Sequence, residues 1–125
     1  MFVNRVISDN GLSVTDTGVD IDIRVPWYRA LPVSVVGVTD VEIDGKRIDL
    51  TSLTFEVNGK TFRLDELSKQ YSEWWYVLDS AFLHVPGISV EPGTEHQVKV
   101  TVSIRPPYIP GFYRLTECTK RLRAH

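Results

Sequence analysis

Val19-Asp20-Ile21-Asp22-Ile23-Arg24-Val25 runs directly into Pro26-Trp27-Tyr28-Arg29-Ala30-Leu31-Pro32, and Val33-Ser34-Val35-Val36 follows. In the first segment Val19, Ile21, Ile23 and Val25 alternate with Asp20, Asp22 and Arg24. Side chains of a strand point to opposite faces with period two, so this pattern predicts a half-buried strand. Proline fixes φ and has no N–H to donate, so neither Pro26 nor Pro32 suits a central ladder. A strand enters, a rigid aromatic corner follows, and another strand leaves. Loop aromatics most often pack onto a core, and a docking or pocket-lining corner is the alternative.

Outward from this corner the β signals continue. Val33 to Ile43 is the longest β-like stretch, and Gly37 inside it predicts a bulge or kink. Asp44-Gly45 and Asn58-Gly59 are hairpin signals, the second joining Phe55-Glu56-Val57 to Thr61-Phe62-Arg63-Leu64. Leu64 to Tyr71 is the one helical candidate, with Asp65 as cap and Leu64, Leu67 and Tyr71 on one side. Trp74 to Leu78 and Ala81 to Val85 return to β character, and Pro86-Gly87 stops the second. His96 to Ile104 alternates again, with Val98, Val100, Val102 and Ile104 inward. Upstream, Phe2 to Ile7 reads as a strand, Asp9-Asn10-Gly11 as a turn, and Asp16-Thr17-Gly18 as another.

Short strands, tight turns and the lack of a βαβ rhythm predict an all-β fold. The expected form is a single antiparallel β-sandwich or jelly-roll-like domain with one short helix. Residues 1–112 would form the sandwich. Residues 113–125 carry weak structure signals and read as a C-terminal tail, flexible or contacting a partner.

Composition narrows the class. The 125 residues suit one domain, and 42% hydrophobic with 24% charged residues is ordinary for a soluble globular chain. A single cysteine, Cys118, forms no intrachain disulfide and suggests a reducing compartment. A formal net charge of −2 does not resemble the basic field of a nucleic-acid binder, and Lys120-Arg121-Leu122-Arg123 is too short to change that. No apolar run approaches the ~18–20 residues of a membrane span, and the N-terminus lacks a signal-peptide h-region, so cytoplasm is the expected location.

Two segments echo each other. Ile23-Arg24-Val25-Pro26-Trp27-Tyr28 and Ile104-Arg105-Pro106-Pro107-Tyr108 share a plan of strand, Ile-Arg, proline and aromatic. If both strands end at one rim, Trp27, Tyr28, Tyr108, Phe112 and Tyr113 form one aromatic patch.

No self-sufficient catalytic constellation appears. His84, His96 and His125 form neither a His-x-His pair nor a His-x-x-x-His motif, and there is no second cysteine. His84 reads as a solvent-facing or satisfied sheet residue. Asp20 with Asp22, and Asp40 with Glu42 and Asp44, place carboxylates on single strand faces. Such pairs can serve acid/base chemistry or calcium, yet strands also need a polar face that discourages edge-to-edge aggregation. Cys118 lacks an evident base, and there is neither a Gly-x-Ser-x-Gly elbow nor a glycine-rich phosphate loop. Glu73-Trp74-Trp75-Tyr76 suggests sugar stacking, although alternation must send Trp74 and Trp75 to opposite faces, so at least one belongs in the core.

The order of these motifs resembles one family. Val25-Pro26-Trp27-Tyr28-Arg29-Ala30-Leu31-Pro32-Val33-Ser34 is similar to a stretch in the small, or β, subunits of C-glycoside deglycosidases. Val41-Glu42-Ile43-Asp44-Gly45, Leu64-Asp65-Glu66-Leu67, Glu73-Trp74-Trp75-Tyr76 and Arg105 to Pro110 follow in similar order and spacing. The resemblance covers about residues 2–112, and the chain after Pro110 departs most from it.

The resemblance implies an accessory subunit of a heteromeric enzyme. The large α subunit would be a TIM-barrel protein similar to sugar isomerases and epimerases, carrying a divalent metal, manganese by expectation. The substrate would be a C-glycoside of a plant polyphenol whose sugar has been oxidised to the 3-keto form. A C3 ketone acidifies the C2 proton, metal polarisation stabilises the enolate, and elimination breaks the C1–aryl bond. No catalytic residue and no cofactor are assigned to this chain. Trp27, Tyr28, Arg29, Tyr108 and Phe112 are the candidate partner-interface residues, since interfaces favour such types. Trp74 and Trp75 are candidates to border substrate. A free-standing carbohydrate-binding or protein-interaction module is the alternative, and a jelly-roll metalloenzyme finds no support in the histidines.

Overall fold

The computed structural model describes residues 5–125, so residues 2–4 of the strand expected at Phe2–Ile7 lie outside the described residues, and of the remainder only Ile7 is in a strand. Eleven strands follow in order: β1 (Ile7–Val14), β2 (Gly18–Ile23), β3 (Leu31–Pro32), β4 (Val36–Ile43), β5 (Lys46–Arg47), β6 (Thr54–Val57), β7 (Lys60–Arg63), β8 (Trp74–Trp75), β9 (Ala81–Pro86), β10 (Glu95–Ile104) and β11 (Arg114–Arg123). They form a five-stranded sheet in the order β1-β2-β9-β6-β7, a four-stranded sheet in the order β11-β10-β4-β5, and a small β3-β8 pair. Every strand pairing is antiparallel. This is the expected all-β sandwich.

The period-two pattern sets which face is buried. Val19, Ile21 and Ile23 of β2 meet Leu83, Val85 and Phe55 on the inner face of the larger sheet. Val98, Val100, Val102 and Ile104 of β10 lie inward with Val38, Val41 and Ile43 of β4. Burying a side chain of this kind is worth about 1.5–3 kcal/mol each, offset by the entropy of ordering the chain.

The hairpins turn as their residues require. Asp44 and Gly45 have φ of 53° and 80°, and Asn58 and Gly59 have 55° and 76°. Two consecutive positive φ values match the twist of an antiparallel pair, which Asn/Asp-Gly tolerates. A Cβ built on Gly18 would lie 1.9 Å from the Val85 carbonyl oxygen, so β2 and β9 approach where only glycine fits.

Several expectations are corrected. Asp9-Asn10-Gly11 is a bulge inside β1 rather than a turn, with the register slipping between Ile7↔Ile23 and Leu12↔Ile21. The irregularity of β4 falls at Thr39, since Thr101↔Asp40 is followed by Val102↔Val38. Gly37 serves a different end, because a Cβ there would crowd Ser103 Oγ at 2.6 Å.

The expected helix is a 3₁₀ turn over Leu64–Lys69, and such turns also occur at Val33–Val35 and Leu50–Ser52. With three residues per turn, Leu64 and Leu67 align while Tyr71 falls beyond the end and is exposed. Glu66, not Asp65, tethers its start, Oε1 accepting from the Arg63 N–H at 2.8 Å.

The largest correction concerns residues 113–125. They are not a weakly structured tail. β11 pairs with β10 along its length, from Ile104↔Arg114 to Glu95↔Arg123. Thr116, Cys118 and Leu122 face inward, so two of the three buried positions are not strongly apolar and the alternation is faint. His125 then bonds β1, its N–H donating to the Leu12 carbonyl at 3.1 Å and its carbonyl accepting from Val14 at 2.8 Å. This joins the two sheets along one side. No helix among the described residues is long and apolar enough to cross a membrane.

Candidate functional site

One end of the sandwich gathers the residues that the sequence singled out. β2 ends at Ile23, opposite Ala81 at the start of β9, and β4 begins at Val36 opposite Ile104 at the end of β10. The corner 26–35 therefore bridges the two sheets at the end where the 105–113 loop leaves β10. Thr15–Thr17, Asp44-Gly45 and the 87–94 loop sit at the other end.

Trp27 is the keystone of this end. Its ring is buried, and its Nε1 donates to the Tyr108 hydroxyl. It tilts against Tyr28 at 4.9 Å and Phe112 at 5.6 Å between ring centroids. The Arg29 guanidinium lies 5.4 Å from the Tyr108 ring centroid, and Arg105 lies 4.7 Å from that of Tyr113. Arginine over an aromatic face is held by the ring quadrupole. The two echoing segments thus meet at one rim, and all five interface candidates, with Tyr113, are brought together.

The segment 70–80 joins them. The Val33 N–H donates to the Glu73 carbonyl at 2.8 Å, Ser34 donates to Gln70 at 3.1 Å, and Leu31 and Pro32 pair with Trp75 and Trp74. The β6–β7 hairpin tip braces this segment from below. Asn58 Nδ2 donates to the Trp74 carbonyl at 2.7 Å, and Lys60 holds Glu73 at 2.9 Å. The adjacent tryptophans diverge as alternation requires. Trp75 is 0% exposed, packs edge-on against Phe55 at 5.4 Å, and donates Nε1 to the Asp79 carbonyl. It has no face to offer a substrate, which corrects its place among the substrate-bordering candidates. Trp74 is 41% exposed and retains one.

Exposure is polarised in the same way. The exposed large hydrophobics among the described residues are Tyr28 from the corner, Tyr71, Trp74, Tyr76 and Leu78 from the second segment, and Tyr108, Tyr113 and Leu115 from the third. None lies at the opposite end. Scattered apolar residues on a surface are ordinary, but their confinement to one end is what an interaction site produces. Tyr71, Leu78 and Leu115 are not among the sequence candidates for this surface, and Tyr76 enters only within the Glu73-Trp74-Trp75-Tyr76 run. The Trp74-Trp75-Tyr76 run was the available signal, since alternation that buries Trp75 must expose Tyr76. A groove of about 340 Å³ beside Trp27 adds Arg5, Arg24 and the Lys120–Asp9 pair to the apolar Val77 and Leu78. Arg24 is steadied by donating Nε to Ser80 Oγ at 3.2 Å.

Polar clusters elsewhere serve the sheets. On the outer face of the smaller sheet Lys99 binds Glu42 at 2.8 Å and Asp40 at 3.4 Å, and the hydrogen bond to Glu42 raises its pKa. On the larger sheet His84 lies between two carboxylates, Nδ1 2.7 Å from Asp20 and Nε2 2.8 Å from Glu56. The sequence gives no sign of this trio, whose members are 64 and 28 positions apart. Among the described residues no three His, Cys, Asp or Glu side chains are arranged to hold a metal ion.

Residues 2–108 match the family model described as C-glycoside deglycosidase beta subunit. A C-glycoside deglycosidase beta subunit of Microbacterium trichothecenolyticum is 38% identical over 109 residues, 87% of this chain and 82% of that one. A 3'-dehydrocarminate deglycosidase beta subunit of Microbacterium sp is 37% identical over 110 residues, covering 88% and 83%. A C-glycoside deglycosidase beta subunit of Arthrobacter globiformis is 34% identical over 109 residues, covering 87% and 83%.

Proposed function

Because this chain belongs to the C-glycoside deglycosidase beta subunit family, we propose that it is the accessory subunit of a heteromeric carbon–carbon lyase and docks on its partner through the aromatic end. The observation that carries the docking surface is the confinement of exposed large hydrophobics to three chain segments at one end. These segments are not floppy. Trp27, the β3-β8 pair and the Asn58 brace fix them before any partner arrives. A surface ordered in advance loses less entropy on binding. Tyr28 at 59% exposed and Arg29 over Tyr108 supply the residue types that carry most interface energy.

The partner in this proposal is the TIM-barrel α subunit, which holds the divalent metal and the reacting atoms. The substrate reaches the complex as a 3-keto-C-glycoside, and the 3'-dehydro prefix in one relative's name fits an oxidised sugar. This chain contributes no acid, base or ligand to the elimination. In this proposal its role is to stabilise the barrel, and the exposed Trp74 is the candidate to border the substrate entrance.

Co-expression with the candidate α subunit, followed by assay on a 3-keto-C-glycoside with and without this chain, tests the reading. Cleavage that needs both chains supports it. Full cleavage by the α subunit alone, with no complex on size exclusion, overturns it. Glycan binding by this chain in isolation, through Trp74, is the result expected of a free-standing binding module instead.

A further inference from the structure

His84 sits at the middle of the outer face of the larger sheet. Asp20 on β2 and Thr54 on β6 are its cross-strand neighbours, and Glu56 lies one pleat along. Both ring nitrogens point at carboxylate oxygens, at 2.7 Å and 2.8 Å. A neutral imidazole has one N–H, so one of these contacts would set a lone pair against a carboxylate; only the imidazolium donates at both nitrogens. His96 has a carboxylate at only one ring nitrogen; the other meets the Thr94 hydroxyl, which itself donates to the Glu91 carbonyl.

We propose that His84 is an imidazolium clamp across β2, β9 and β6, and that losing its proton loosens the β6–β7 hairpin that braces the aromatic end. The link runs through named contacts. Glu56 stands two residues before Asn58, whose side chain holds the Trp74 carbonyl, and Lys60 past the turn holds Glu73. The clamp rests only on the His84 geometry; its consequence for docking rests on the reading above.

The two charged groups in contact with the ring, Asp20 and Glu56, favour the proton. Asp20 and Asp22 face outward on β2, and Asp22 accepts from Ser8 on β1 at 3.2 Å. Glu56 comes from β6. Arg63 on β7, opposite Thr54, is engaged with Asp65 at 3.3 Å and Glu66 at 3.9 Å. On the β1 side Ser13, opposite Asp20, contacts His125 at 3.2 Å. Burial pulls the His84 pKa down, but the hydrogen bonds to Asp20 and Glu56 and their charges outweigh it, and the net shift is upward. The folded state therefore holds the proton more tightly than the unfolded chain. The clamp is fully present below the ordinary histidine range and is lost as pH rises through the raised value.

The test is a histidine-ring NMR titration of the full chain from mildly acidic to mildly alkaline pH, paired with thermal melts. The expected result is two protonated ring nitrogens on His84 at neutral pH, a midpoint above that of an unfolded-chain histidine, and a melting temperature that falls across the same interval. In His84→Gln that fall should flatten. Where His84→Gln does not fold, Asp20→Asn and Glu56→Gln each lower the midpoint. A neutral His84 ring at neutral pH, or a midpoint unmoved by both carboxamide variants, would overturn the clamp. The Trp74 amide should shift with His84 in the same titration, and an unmoved Trp74 overturns the coupling. If the partner is captured at no pH, the docking reading falls while the ring titration still decides the clamp.

Discussion

The indole of Trp27 donates to the hydroxyl of Tyr108, 81 positions further along the chain. That bond ties the loop leaving β2 to the loop leaving β10 and makes one surface of two corners. Tyr108→Phe should keep the ring under Arg29 but lose the bond. The expected cost is about 1 kcal/mol, the net worth of an ordinary hydrogen bond. Urea unfolding measures it, and binding to the partner should weaken by more than the stability loss alone explains, because the rim itself is loosened.

Trp74 and Trp75 should separate cleanly. Trp75→Ala removes a ring that is fully buried against Phe55, and a loss of about 3–5 kcal/mol is expected. Trp74→Ala should change stability by less than about 1 kcal/mol, as exposed substitutions do. Its effect should appear in complex formation or in the KM of the assembled enzyme. Equal unfolding midpoints for the two variants would contradict the assignment of one to the core and one to the surface.

Asp44 gives the fold an acid-sensitive hinge at the end away from the aromatic patch. A side-chain hydrogen bond from His96 at 2.5 Å, then the Gln97 N–H at 2.9 Å, hold its carboxyl below the ordinary carboxylate range. The folded state thus binds the proton less readily than the unfolded chain. The contribution is present above the ordinary carboxylate pKa and is lost as pH falls through the lowered one. Asp44→Asn tolerates the positive φ, so it should keep the turn while flattening this part of the acid stability profile.

Gly18→Ala should be among the most damaging single-methyl changes. Its Cβ would fall 1.9 Å from the backbone oxygen of Val85, an atom that cannot swing away. The overpacking cost is expected at about 1–3 kcal/mol or beyond. Gly45→Ala meets no atom, only a φ of 80°, and should cost less. Paired chemical denaturation curves distinguish them.

How much of this was legible in the sequence depends on the distance over which each signal acts. Alternation in 19–25 and 96–104 marks β2 and β10 because the in–out pattern is local. Asp44-Gly45 and Asn58-Gly59 mark their hairpins for the same reason. β11 was hidden because Thr116 and Cys118 take inward positions that apolar residues usually hold. Asp9-Asn10-Gly11 reads as a turn, yet pairing with β2 continues on both sides and makes it a bulge. The meeting of Trp27 with Tyr108 was suggested by a repeated Ile-Arg-proline-aromatic plan. The His84 trio had no such cue, since register alone places Asp20 and Glu56 on either side of it.

The measurement that bears most directly on the central claim is the affinity of the purified α subunit for this chain and two surface variants. Tyr28→Ala with Arg29→Ala alters the aromatic end, and Arg47→Ala alters an exposed position on β5, by the opposite end. The account predicts at least about a tenfold weakening for the first, as loss of interface anchors gives, and wild-type affinity for the second. Undiminished binding of the Tyr28/Arg29 variant, with both variants folded, would contradict it.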